Sequence, residues 1–184
     1  MSSQKVFAQT FPQTHQNAEI TGLFSLKFPA TGKSASQGTQ LIAKDTTLTP
    51  DVKVLVSSDH NNGKFTLILS DIDASAEGCH YLATNLTAVP SENDSSKLII
   101  NNKSEGVVDI LPFVAPGPRI DQNHAYVWLL FEGVPSMESA LNVRDCRRGY
   151  GMNEKDYGAE WFQKISGLGK LVAFDYIYVK NNEA

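Results

Sequence analysis

Residues 66–86, TLILSDIDASAEGCHYLATNL, decide how this chain is read. An apolar strand, Phe65 to Leu69, runs into two acids one residue apart, Asp71 and Asp73. Cys79-His80 follows and leads straight into a second apolar run, Tyr81 to Leu86. A buried strand that ends in paired carboxylates, beside a strand opened by a histidine, makes a small polar pocket at the end of a sheet. Loops in such places carry function because the scaffold holds them still.

Working outward toward the N-terminus, Asn62-Gly63 is a hairpin signal, since both residues tolerate positive φ. Val52 to Ser57 reads as a strand, and so does Leu23 to Pro29, where Phe24, Leu26 and Phe28 alternate with Ser25 and Lys27. The stretch between them, TGKSASQGTQ, reads as a loop. It holds Gly32-Lys33-Ser34, the tail of a phosphate-binding P-loop, but Lys27 stands where that motif needs its first glycine, so the motif is rejected. Residues 1–20 are polar and weakly patterned and read as an arm ahead of a single domain over 21–184.

Working outward toward the C-terminus, Leu98 to Ile100 and Val107 to Leu111 are short strands, followed by FVAPGPRIDQNHAYVWLLFE. Pro116-Gly117-Pro118 is rigid, and its glycine lets another group approach the backbone. Ala125 to Phe131 reads as a strand buried on both faces, with His124 at its mouth as His80 stands at the mouth of its own. Helix is expected only late: Asn153 as N-cap, Glu154 and Asp156 in the first turn, an apolar stripe of Tyr157, Trp161, Ile165 and Leu168, and Gly167 and Gly169 as the stop. Leu171 to Val179 closes the chain as a strand. Many short strands and one late helix point to a mainly β, antiparallel sandwich.

Composition narrows the function. At 184 residues one domain with a full core is expected. A formal net charge of -4 argues against a nucleic-acid partner. Arg144, Arg147 and Arg148, interrupted by Asp145, read as a solvated face. Two distant cysteines, Cys79 and Cys146, make no disulfide framework, and MSSQKVFAQTFPQTHQ has no apolar leader region, so a reduced cytoplasmic protein is expected. No apolar run approaches the length of a membrane span.

Three segments, in order, resemble the phosphatidylethanolamine-binding protein family, which includes Raf kinase inhibitor protein. ILSDIDAS resembles the family's D-P-D-A-P signature at a strand end. His80 to Asn85 resembles the histidine-led strand that follows it. FVAPGPR with His124 to Trp128 resembles the Y-x-G-P-x-P-P and H-R-Y-V segments. GYG, the late helix and KLVAFDYIYV look like the fungal carboxypeptidase Y inhibitor branch, and the likeness spans roughly residues 21–180. The chain departs from the pattern at Ile72 and Ser75, which replace prolines, at Arg119, which replaces another, and at Ala125, which replaces an arginine and removes a fixed cation. The loop after Asp73 is short.

The resemblance implies an antiparallel Greek-key β-sandwich with one C-terminal helix and a small anion-accepting cavity at one end. Its lining would include Asp71, His80, Pro116, Gly117, His124 and Tyr126. Its ligand would be phosphate or a phospholipid headgroup. A serine carboxypeptidase or a protein kinase would be the protein partner, and peripheral contact with a membrane is compatible with such a ligand. No cofactor or metal is implied, and binding rather than turnover is expected. Histidine can donate to phosphate in either charge state, while Asp71 suits the task of orienting a histidine. Taken singly, each histidine is as readily an ordinary strand-end residue, Asp73 a turn cap, and Tyr126 and Trp128 core. A second reading keeps the fold as a protein-interaction scaffold that has lost its ligand.

Overall fold

The computed structural model describes residues 2–13, 20–60 and 63–182, so Asn62 of the expected Asn62-Gly63 turn lies outside the described residues. Ten strands dominate. β1 (Leu23–Phe28), β2 (Lys33–Ala35), β4 (Asp51–Ser57) and β7 (Lys97–Asn101) form one leaf. β5 (Lys64–Asp71), β9 (Asn123–Glu132), β10 (Leu171–Lys180) and β3 (Thr39–Ile42) form the other. β6 (Gly78–Pro90) belongs to both: its first part pairs with β5 and with β8 (Val108–Leu111), and its end, Ala88 to Pro90, pairs with β7.

The expectation of a purely antiparallel Greek-key sandwich with one C-terminal helix needs two corrections. First, the sheet is mixed and nearly barrel-shaped. β3 runs parallel to β10, and a parallel bridge from Gly22 to Ala173 brings the start of β1 back toward β10. Gly22 is required at that closure, because a Cβ there would stand 2.6 Å from the Cβ of Ala173. β2 and the first half of β3 lie inside the stretch read as a loop; the two strands are three and four residues long, too short to carry an alternating pattern.

Second, there are three α-helices among the described residues, not one. α1 (Ser3–Thr10) lies in the segment read as a polar arm and buries Val6 fully, with Phe11 buried just past its end. α2 (Met137–Asp145) is capped by Ser136, whose side chain accepts from the Ser139 N–H. α3 (Ala159–Ser166) is the late helix, but it begins after Gly158 rather than at Asn153. Its buried face is Ala159, Glu160, Phe162 and Ser166, not the stripe through Trp161 and Ile165, and Ile165 is exposed. It stops as expected at Gly167, whose φ of 76° suits a residue without a Cβ.

Two apolar layers follow from these elements. Leu26, Phe28, Val54, Leu67, Leu69, Tyr81, Trp128 and Leu130 pack between the leaves. Val6, Phe11, Ile68, Leu82, Val127, Leu129, Phe131, Val143 and Phe162 pack between the second leaf and the helices. Alternate residues of β9 therefore serve different cores, which is why its sequence is continuously apolar. In the order β6-β5-β9 every pairing is antiparallel. The end of β5 and the starts of β6 and β9 thus meet at one edge of the sheet.

Candidate functional site

Register fixes what meets at that edge. Asp71, the last residue of β5, pairs with Gly78 of β6 on one side and with Tyr126 of β9 on the other. Beyond it the chain turns on aspartate chemistry. Asp71 Oδ1 accepts from the backbone N–H groups of Asp73 and Ala74, both at 3.1 Å. Asp73 Oδ2 accepts from the Ala125 N–H at 2.8 Å, and Ile72 donates its own N–H to the Ala125 carbonyl. Gln9 of α1 reaches the same turn, donating to the Ile72 carbonyl and to Asp73 Oδ1.

This hub holds His124. Its Nδ1 lies 2.9 Å from Asp71 Oδ2 and 3.1 Å from Oδ1, and its Nε2 lies 3.2 Å from Gln122 Oε1. Asp71 is 5% exposed, so the pair sits away from bulk water. A carboxylate on one ring nitrogen fixes the ring's orientation and leaves the other nitrogen to face the outside.

His80 is held differently. Its Nδ1 is 3.0 Å from the Val114 carbonyl, and the Val114 N–H returns a bond to the His80 carbonyl at 2.8 Å. A carbonyl only accepts, so Nδ1 carries the proton. Burial holds the His80 pKa below its ordinary value, ahead of the opposing effects of the Val114 hydrogen bond and the Asp71 charge. The ring is therefore neutral near pH 7 and presents Nε2 as an acceptor. Tyr126 packs against both histidines, edge-on to His80 at 5.1 Å and stacked on His124 at 6.4 Å between ring centroids. Burial and then the nearby Asp71 carboxylate push its hydroxyl pKa well up.

Around these groups lies a cavity of about 560 Å³. Asp71, His80, Gly117 and His124 line it, together with Asp73, Ser75, Gly78, Gln122, Arg119, Arg147 and Arg148. Of the six residues expected from the sequence, Pro116 and Tyr126 are not on the wall. Pro116 is buried behind it with its carbonyl toward Thr46, and Tyr126 is wholly buried behind the two rings. Gly117 opens onto free space: a Cβ there would meet nothing closer than the Ala115 carbonyl oxygen at 3.9 Å.

Sequence reasoning missed the arginines. Residues between α2 and α3 dock on the start of β6, through a bridge from Gly78 to Arg148 and bonds from the Cys79 N–H to the Arg147 carbonyl and from the Gly149 N–H to the Glu77 carbonyl. Arg147 donates through Nη1 to the carbonyls of Cys79 and His80 and through Nη2 to that of Pro112. Arg148 is exposed and donates to Ser75 Oγ at 3.0 Å. Among the described residues, neither of them nor Arg119 forms an ion pair, whereas Arg144 pairs with Asp145. Nothing local in RDCRR marks which arginine turns inward. A bond network reaching from residue 79 to residue 147 decides it.

Behind the cavity, Glu77 joins the sheet to α3. Its Oε1 accepts from Ser70 Oγ at 2.5 Å and from the Ala159 N–H at 3.0 Å, and Tyr150 donates its hydroxyl to Ser70. Burial raises the Glu77 pKa from 4.5 to about 7. Burial also pushes the Cys79 thiol up to about 12, which removes it as a nucleophile near neutrality. Among the described residues no group of three or more His, Cys, Asp or Glu side chains is placed to hold a metal ion.

Comparisons with known proteins agree with this architecture. Residues 10–170 match the family model described as phosphatidylethanolamine-binding protein. The fold is similar to that of a carboxypeptidase Y inhibitor solved in complex with its cognate proteinase, at a TM-score of 0.78 and 18% identity, over 96% of this chain and 91% of that one. It is also similar to a phosphatidylethanolamine-binding protein from Plasmodium falciparum, at a TM-score of 0.66 and 16% identity, over 96% of this chain and 93% of that one. No curated protein sequence matches the chain.

Proposed function

The chain belongs to the phosphatidylethanolamine-binding protein family, and from that premise we propose that it is a non-catalytic binding and regulatory protein whose cavity accepts a phosphate-type anion. One observation carries the reading: two histidines, one of them paired with Asp71, and three arginines that form no carboxylate ion pair among the described residues face one preformed cavity. Clefts of this kind, with a few convergent polar groups, are the usual form of small-ligand sites. Asp71 and Asp73 bring negative charge to the same wall, but three arginines outnumber them, and Asp71 is already engaged by His124.

The proposed protein partner is a protease of the serine carboxypeptidase class. The likeness to an inhibitor solved with its cognate proteinase supports this over a kinase partner. The cavity's polar, cation-bearing wall counts against the reading as a scaffold that has lost its ligand.

Calorimetry with inorganic phosphate tests the anion site. The full chain should bind saturably, and His124→Ala should weaken binding about tenfold, the usual worth of one charge-assisted hydrogen bond. Thermal unfolding followed by circular dichroism checks that the variant is folded. No saturable binding by the folded full chain would overturn the reading and send the search to protein partners alone.

A further inference from the structure

Of the three arginines on the cavity wall, Arg147 and Arg148 differ in standing, and that difference bears on which anion fits. Arg147 is committed: three backbone carbonyls hold its guanidinium flat against the start of β6, so its charge is fixed in place. Arg148 is not committed. Its side chain is exposed, and the bond described for it is to a neutral hydroxyl, that of Ser75. A guanidinium gives up a neutral acceptor readily for a charged one, and its planar fork matches two oxygens of one phosphate.

On the adjoining start of β6, which Arg148 bridges at Gly78, His80 offers a complementary demand. Val114 claims its Nδ1 proton, so the Nε2 edge, which lies beside Gly78, has a lone pair to fill. A ligand that satisfies both groups must present several charged oxygens to Arg148 and an O–H to His80. A terminal phosphate has three free oxygens, up to two charges and, in its singly protonated form, an O–H. A phosphodiester has two free oxygens, one charge and no O–H.

Building on the anion site proposed above, we propose that Arg148 is the specificity-determining residue of the cavity and sets a preference for phosphate monoesters over diester headgroups. Arg148 exchanges Ser75 for the terminal phosphate, Arg147 supplies a fixed background charge, and His80 accepts the hydrogen bond that only the monoester can give. The same preference extends to inorganic phosphate. Ligand discrimination then resides on the connection between α2 and α3, and Ala125 of β9 contributes no cation to it.

Calorimetry on the full chain with phosphoethanolamine and with glycerophosphoethanolamine tests this, because the two probes share the amine and differ in the ester. The monoester should bind about tenfold more tightly, and Arg148→Gln should remove most of that advantage while changing diester binding by less than about threefold. Arg148→Lys, which keeps the charge and loses the fork, should recover only part of the preference. Equal affinity of the parent for both esters, or an equal loss of both in Arg148→Gln, overturns the proposal and leaves the anion site standing. Failure of the folded parent to take up either ester overturns the anion site itself. Should Arg148→Gln not fold, Ser75→Ala frees the guanidinium instead. It should bind phosphoethanolamine at least as tightly as the parent, and weaker binding counts against the proposal.

Discussion

The cavity is built from two regions held by different physics. The strand ends of β5 and β9 place Asp71 and His124 by packing: these strands are buried on both faces, and Trp128 sits edge-on to Tyr81 at 6.4 Å within the core between the leaves. The connection between α2 and α3 is anchored at one point by the buried Tyr150 ring, but Arg147 and Arg148 themselves are placed by hydrogen bonds, with side chain and backbone reaching across to β6 and to Pro112. A packed strand offers a fixed position, because interiors tolerate little change in volume. A segment tied by hydrogen bonds to accessible carbonyls can be released locally without unfolding the sheet. One wall of the site is therefore a property of the fold, and the other is an attachment to it.

Three perturbations bear on that contrast. The largest should come from the packed wall: Trp128→Ala removes a fully buried indole and should cost about 3–5 kcal/mol in urea unfolding. A cost below about 1 kcal/mol would mean that packing does not hold this wall.

The second tests the seam between the regions. Glu77 titrates near 7 in the folded chain against an ordinary 4.5. Between those values the native state binds more protons than the unfolded one, so stability falls as pH rises from about 4.5 to about 7. His80 works in the opposite sense. Its pKa lies below the ordinary value, so its contribution improves as pH rises through about 6.5. Comparison with Glu77→Gln cancels the histidine. The variant should be close to the parent at pH 5 and more stable than it at pH 8, by up to about 3 kcal/mol. The glutamine Oε1 can keep the bonds from Ser70 and Ala159. An identical difference at both pH values would count against this account.

The smallest effect should come from the attached wall. Arg147→Ala leaves three carbonyls to water and should cost about 1–2 kcal/mol. Hydrogen exchange should speed up mainly in the α2–α3 connection and at the start of β6. Uniform acceleration across β5 and β9 would show that the two walls are one cooperative unit.

The same division explains what could be read from the sequence. Strands β1, β4, β5, β6 and β9 announce themselves through alternation or continuous apolar runs, and the paired acids and strand-leading histidines mark the edge where they end. Asp71, His80, Gly117 and His124 do reach one cavity. Tyr126 lies behind the wall, in the core, because a residue of period-two pattern next to a site residue can face either way. α1 was hidden because only Val6, Phe7 and Phe11 are apolar enough to pack, in a segment otherwise polar. α3 was displaced because Tyr157 and Trp161 make an apolar stripe that pairs within itself, at 4.9 Å, while Phe162 does the packing. The roles of Arg147 and Arg148 cannot be read locally because they depend on partners 67 and 73 residues away.

The parallel pairing of β3 with β10 has a consequence for how the molecule is made. Residues 39–42 find their neighbours only when residues 177–180 exist. At a synthesis rate of roughly 5–20 residues per second, β3 leaves the ribosome roughly 7–30 s before its partner. In the last part of that interval, once β9 has been made, the edge of β9 that β10 will cover also stands open, on one of the most apolar strands of the chain. The half-made protein is thus at its most adhesive just before β10 emerges. The last ten-residue strand acts as the clasp that seals two earlier edges at once.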